Sequence, residues 1–146
     1  MPKDTTTRGE LSELEVAMAL ARSGRKMLRP MSSGLRYDLA IDNGDGTVAR
    51  IQCKTGILRD GVISFNVASM DGRRPYGVPY LGQIEAFGVF CPQNGKVYLV
   101  PIDRLVAKSS KGRLRIAATR NGQSRGVILA STFEVALAEG QHESGS

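Results

Sequence analysis

Apolar residues Leu11, Leu14, Met18 and Ala21, with Ala17 beside them, recur at intervals of three and four near the start of the chain. That spacing marks one face of an α-helix. Thr7-Arg8-Gly9-Glu10 ahead of it fits a capping box, and Gly24 supplies the C-terminal stop. Beyond Gly24 the period shortens toward two. Residues 26–31 read as a short strand, 37–42 as a second, 47–54 as a third and 62–68 as a fourth. Ser32-Ser33-Gly34 is loop-like, and Asn43-Gly44-Asp45-Gly46 is a strong hairpin signal between the second and third strands. Residues 69–80 form a basic loop.

In the second half, residues 84–91 and 96–102 read as strands joined by the turn Pro92-Gln93-Asn94-Gly95. Asp103 is placed to cap a short helix through 108, and residues 114–117 read as a brief edge strand within a Gly-, Ser- and Arg-rich stretch. Ser131 and Glu134 repeat the capping-box pattern before Val135, Ala136 and Leu137. A helix, a run of strands and short helices around them predict one α/β (α+β) domain over 1–139, with a mixed central sheet. The polar stretch 140–146 is expected to be a disordered tail.

Alternation assigns faces. Along the third strand, Ala49, Ile51 and Cys53 share one side, and Val48, Arg50, Gln52 and Lys54 the other. Along the second, Tyr37, Leu39 and Ile41 share a side opposite Asp38, Ala40 and Asp42. Each strand thus offers an apolar face to a core, and the hairpin register brings Asp38 toward Gln52 and Lys54.

Hydrophobic residues make up 41% of the chain but aromatics only 5%, so the core rests on aliphatic side chains. Cys53 and Cys91 lie in strand-like stretches with no metal-ligand companions and are expected to be buried free thiols. The single histidine, His142, leaves no material for a histidine zinc site or a Ser-His-Asp triad. No apolar run is long enough for a membrane span, and the N-terminus lacks the apolar centre of a secretory signal. A cytoplasmic location is therefore expected. The formal charge of +6 and pI near 9.7 favour a polyanionic partner, nucleic acid above all. Arg59, Arg73 and Arg74 on loops, and Lys111, Arg113, Arg115, Arg120 and Arg125 near the C-terminus, are candidates to contact phosphates. A solvated basic surface explains them equally well. No helix-turn-helix, zinc finger or RNA-recognition signature is present.

The chemistry gathers on the hairpin. A hard divalent cation takes oxygen ligands. Asp38 offers a charged one, while Gln52 and the main-chain carbonyl of Cys53 offer neutral ones. Such an ion polarises a phosphate and lowers the pKa of bound water. Lys54 can orient that water or stabilise charge growing on the phosphate oxygens. Glu10, on the first helix, can add negative charge directly or through water, and Glu13 one turn later could do so instead.

With these residues in view, Gly9-Glu10, Tyr37-Asp38-Leu39 and Ile51-Gln52-Cys53-Lys54-Thr55-Gly56 resemble the signature of the PD-(D/E)XK nuclease superfamily. The nearest likeness is to the branch of group I intron homing endonucleases, in which Gln replaces the middle acid. Archaeal Holliday-junction resolvases share the order of motifs. Residues 80–101 resemble the later strands of the homing branch, so the likeness covers about two thirds of the chain. It implies a restriction-endonuclease-like core, a mixed sheet flanked by helices, and Mg²⁺-dependent DNA hydrolysis in which Mn²⁺ can substitute. Asp38, Gln52 and Lys54 would fill the motif positions, with Glu10 as the helix acid. It also implies a homodimer or homotetramer acting on double-stranded or branched DNA. Two departures stand out: Asp38 follows Tyr37 rather than Pro, and Gln52 removes a charge from the metal site.

Plainer readings accompany these. Glu10 can serve as a cap only, Asp42 and Asp45 are turn formers, Tyr37 and Tyr80 fit a core or its rim, and Glu85 reads as ion-paired or edge-exposed. Lys54-Thr55-Gly56 lacks the preceding glycines of a P-loop. The expected activity is a homing-type endonuclease. A junction-specific nuclease and a DNA-binding module without catalysis are the alternatives, and an RNA-binding or antirestriction-like protein stands further off.

Overall fold

A computed structural model describes residues 4–67, 83–105, 110–117 and 128–136. Helix α1 (Thr5–Arg22) starts earlier than the capping-box reading allows. Asp4 is the N-cap; its carboxylate accepts from the Thr6 amide at 3.2 Å and the Thr7 hydroxyl at 2.7 Å. Thr7 and Glu10 therefore lie inside the helix, because Asp4 caps it first. Its buried stripe is Ser12, Val16 and Leu20, each four residues from the last, while Leu14 and Met18 are exposed.

Five strands follow as one mixed sheet in the order β1 (Lys26–Leu28), β2 (Leu39–Asp42), β3 (Val48–Thr55), β6 (Ala86–Cys91) and β7 (Lys96–Pro101). The pairing of β3 with β6 is parallel, and the other three pairings are antiparallel. The mixed sheet is thus as the alternation and the resemblance predicted, with α1 laid across one face. Val16 and Leu20 pack there on Leu39, Ile41, Ile51, Ala86 and Val97. Gly88 makes the approach close: a Cβ at this position would stand 2.5 Å from a Val16 methyl.

A second sheet of three antiparallel strands, in the order β4 (Ile57–Arg59), β5 (Val62–Asn66) and β8 (Lys111–Arg115), covers the opposite face. Its inner side chains Ile63, Phe65 and Leu114 pack with Phe87, Val89, Tyr98 and Val100 into a second core. Phe65 lies over its cross-strand partner Gly112, where a Cβ would stand 2.4 Å from the ring.

The sequence reading missed this sheet as a unit. Arg59 ends a strand and does not lie on a loop, since Asp60 and Gly61, both at positive φ, form the tight turn of a β4–β5 hairpin. The edge strand lies at 111–115, earlier than the 114–117 expected. Strand β1 is shorter than expected, and β6 begins at Ala86 rather than 84. Asp103 lies within a 3₁₀ turn (Ile102–Arg104), and the expected helix beyond 105 lies outside the described residues. Ser131 likewise lies inside a 3₁₀ turn (Ala130–Phe133), and Glu134 instead pairs with Lys96 at 3.1 Å. Both cysteines are free thiols, Cys91 buried and Cys53 partly so. The basic loop at 69–80 and the tail at 140–146 lie outside the described residues.

Candidate functional site

Strand β3 has neighbours on both sides, but β2 stops short of its end. The Asn43 amide donates to the Thr47 carbonyl at 3.0 Å. Counting the antiparallel ladder in twos from that pair makes Ile41–Ala49 and Leu39–Ile51 the next hydrogen-bonded pairs. The next amide that β3 turns toward β2 is then Cys53. Here the ladder breaks. The Asp38 amide also donates to the Ile51 carbonyl, at 2.9 Å, in the manner of a β-bulge. The Cys53 amide donates instead to the Asp38 carboxylate, at 2.8 Å.

The bulge ends the alternation that the sequence pattern assumed. Leu39 and Ile41 face α1, but Tyr37 packs against the core on the other side of the sheet. Asp38 is consequently held in line with the sheet edge. In a strand the N–H and C=O of one residue point to the same side, so the Cys53 carbonyl is turned toward this edge as well.

From the α1 side comes Glu13. Burial holds its carboxyl above the ordinary range, and the neighbouring Asp38 adds to that rise, as does Glu10. Arg29, just past β1, lies 3.9 Å from the Glu13 carboxylate and opposes the shift. Burial likewise raises the Asp38 carboxyl, against the pull of the Cys53 amide, Lys54 and Arg29. Burial pushes the Cys53 thiol up, and the Asp38 and Glu13 charges push it further. Gln52 and Lys54 lie opposite Phe87 and Val89 of β6 and share their face, away from α1. The edge is thus approached by Glu13 from one face and Lys54 from the other.

Glu10 is exposed, well round the helix from the buried Ser12–Val16–Leu20 stripe, and its charge raises the Glu13 carboxyl. Thr55 accepts or donates a 2.5 Å hydrogen bond with Ser12, fixing α1 against the end of β3. Glu85 does not join the group: it grips Arg50, taking its backbone amide at 2.7 Å and its guanidinium at 2.9 and 2.5 Å. Arg59, Arg113 and Arg115 lie on the three-stranded sheet. Arg73 and Arg74 lie outside the described residues. Arg29 was not found in the sequence, where no motif marks it; only the β1–β2 pairing brings it to the edge.

Among the described residues no three His, Cys, Asp or Glu side chains form a ready metal cluster. The donors at the edge are nevertheless those a hard cation takes: two partly buried carboxylates that repel each other, beside a main-chain carbonyl. Removing charge repulsion of this kind is what a bound cation does.

An acid set against the end of a central strand, bonded to the amide of the residue between a glutamine and a lysine, defines the class. The sequence profile of the PD-(D/E)XK endonucleases matches residues 3–136, and the chain belongs to that family. Its fold is similar to that of a bacterial homing endonuclease, I-Ssp6803I, with a TM-score of 0.68 and 19% identity over 90% of this chain and 88% of that one. A Holliday-junction resolvase, Hjc of Archaeoglobus fulgidus, aligns over 82% of this chain and 97% of its own at a TM-score of 0.42 and 16% identity. No curated protein sequence matches the chain significantly.

Proposed function

We propose that this endonuclease cuts duplex DNA at the Asp38 edge with Mg²⁺, which Mn²⁺ can replace, and that it acts as a homodimer or homotetramer in the cytoplasm. The observation that carries the reading is the Asp38 bulge, which sets a carboxylate and the Cys53 carbonyl side by side at a strand end. Asp38 and the Cys53 carbonyl are assigned as metal ligands, with Gln52 as a neutral one and Glu13 as the helix acid. Glu10 adds charge through Glu13. The chemistry that a divalent ion supplies at such an edge is polarisation of a phosphate oxygen and a lowered pKa for water. Lys54 donates to the non-bridging phosphate oxygens and holds the attacking water in line. The water oxygen bonds to phosphorus as one ester P–O bond breaks, and the departing oxygen is protonated. One small domain serves one strand, so two copies related by symmetry serve both.

The shared fold with a homing endonuclease along 88% of its length supports a homing-type substrate, a long preferred duplex site. Gln52, in place of an acid, favours one second reading: a DNA-binding domain that has lost cutting. Supercoiled plasmid and four-way junction DNA, incubated with Mg²⁺, Mn²⁺ or EDTA, separate these readings. Cutting that needs the metal and is lost in Asp38→Ala supports the proposal. Cutting confined to the junction replaces the homing substrate with a branched one. Binding without cutting in either metal supports the second reading.

A further inference from the structure

The outer face of the three-stranded sheet lies apart from the acidic edge and carries an ordered set of cations. The β4–β5 and β5–β8 registers align its side chains in rungs. Arg59, Val62 and Arg115 form the first rung. Ile57, Ser64 and Arg113 form the second, and Asn66 with Lys111 the third. The alternate residues Leu58, Ile63, Phe65 and Leu114 point into the core, so these eight share the other face. Ile57, Arg59, Asn66, Lys111 and Arg113 are exposed. Strand β8 puts a cation on every rung, and no acid stands on any rung. Lys111 donates to the Asn66 side-chain oxygen at 2.6 Å, fixing that amide across the strands.

The geometry points to a base-reading surface: we propose that this face enters the major groove of duplex DNA, with Arg59, Arg113 and Arg115 reading guanines. This surface rests on the proposed function and takes the bases of the same DNA substrate. A two-stranded ribbon such as β5–β8, its strands about 4.8 Å apart, fits a major groove about 12 Å wide, and β4 flanks it. Successive rungs are about 6.8 Å apart, two base-pair steps of about 3.4 Å. Arginine reads guanine by a bidentate hydrogen bond to O6 and N7, and Ile57 gives the face an apolar contact for a thymine methyl. A face that only met phosphates would need charge but not this register.

The test selects bound sequences from a pool of random 30-base-pair duplexes, using the full chain in Ca²⁺ so that binding is read without Mg²⁺. The selected duplex is then methylated at guanine N7, which lies in the major groove. Methylation at two or more guanines should block binding. Arg113→Lys and Arg115→Lys keep the charge but lose the bidentate fork. Each should weaken the selected duplex about tenfold and erase the preference at one position, while binding to unrelated duplex stays within about twofold. Indifference to N7 methylation, an unchanged preference in the Arg59→Ala/Arg113→Ala/Arg115→Ala variant, or no duplex binding by the wild type would each overturn the proposal. Plasmid cutting in Mg²⁺ by the same preparations reports on the acidic edge separately. Intact interference without cutting would sink the catalytic reading and leave this one standing.

Discussion

At the acidic edge, Asp38 and Glu13 are drawn partly out of water, and the Asp38 charge raises the cost of ionising Glu13. On the three-stranded sheet, Arg59, Arg113 and Lys111 stand in solvent on a rigid lattice of backbone pairs. The first region stores unfavourable electrostatics that a ligand would relieve. The second keeps its charges hydrated and spends nothing on them until a polyanion arrives. A trade between stability and activity is therefore expected at the edge and not on the face.

The largest effect tests the edge as a chemical centre. Lys54→Ala should slow plasmid cutting about 10²–10³-fold, as loss of one preorganised donor does, while duplex affinity changes only severalfold. Unchanged cutting would remove Lys54 from the chemistry.

Asp38→Asn sharpens the comparison by moving the two properties in opposite directions. Cutting should fall at least as far as in Lys54→Ala, yet the melting temperature at neutral pH in EDTA should rise. The sign follows from the raised Asp38 carboxyl. Its ionised form is disfavoured in the folded chain, so the penalty is present above the folded-state pKa, fades as pH falls through it, and is gone below the unfolded value. The gap between variant and wild type should therefore narrow on acidification. Mg²⁺ should raise the wild-type midpoint more than that of Asp38→Asn. A destabilised Asp38→Asn would break the comparison.

Glu13→Gln should reduce cutting by about tenfold or more and Glu10→Gln by less, because only Glu13 is held against the edge; a charge term of about 1.4 kcal/mol is a tenfold rate. The reverse order would return the helix-acid role to Glu10.

Gly56→Ala tests the junction between the regions by chemical denaturation. A Cβ there would stand 2.6 Å from an Ile63 methyl and 2.9 Å from a Val89 methyl, so overpacking should cost about 1–3 kcal/mol. The smallest effect is Glu85→Ala. Its pair with Arg50 has both side chains over a third exposed, and such pairs contribute about 0.2–1 kcal/mol. Arg50 holds the Glu85 carboxyl below its ordinary range, so this contribution is lost as pH falls through the folded-state value.

The helix, the central hairpin and the β6–β7 pair were legible because each buries one face and writes its period into the chain. Leu39, Ile41, Ala49 and Ile51 all lie in the core that alternation assigned them. The site was legible as residue types at a spacing, but its geometry was not. Strict alternation put Asp38 among the side chains on one face. The bulge that turns it to the strand edge involves no glycine or proline and leaves no local mark. The relation of Glu13 to Asp38 depends on how α1 lies across the sheet, fixed by Gly88 and the Ser12–Thr55 bond, both of which act across long sequence separations. The β4–β5 hairpin carried a turn signal in Asp60-Gly61, but three residues on its first strand are too few for a period to show.

The crowding at Gly56 also sets a length scale. Strand β3 passes through this residue directly into β4, and the Gly56 amide is anchored on the Phe90 carbonyl at 2.8 Å. Five residue steps lead from Lys54 to Arg59, a reach of no more than about 18 Å between their Cα atoms. With no slack in that span, the backbone acts as a ruler. A base read at Arg59 and a phosphate held at Lys54 would then belong to one short stretch of duplex, and moving the cut would require rebuilding the joint, not retuning either surface.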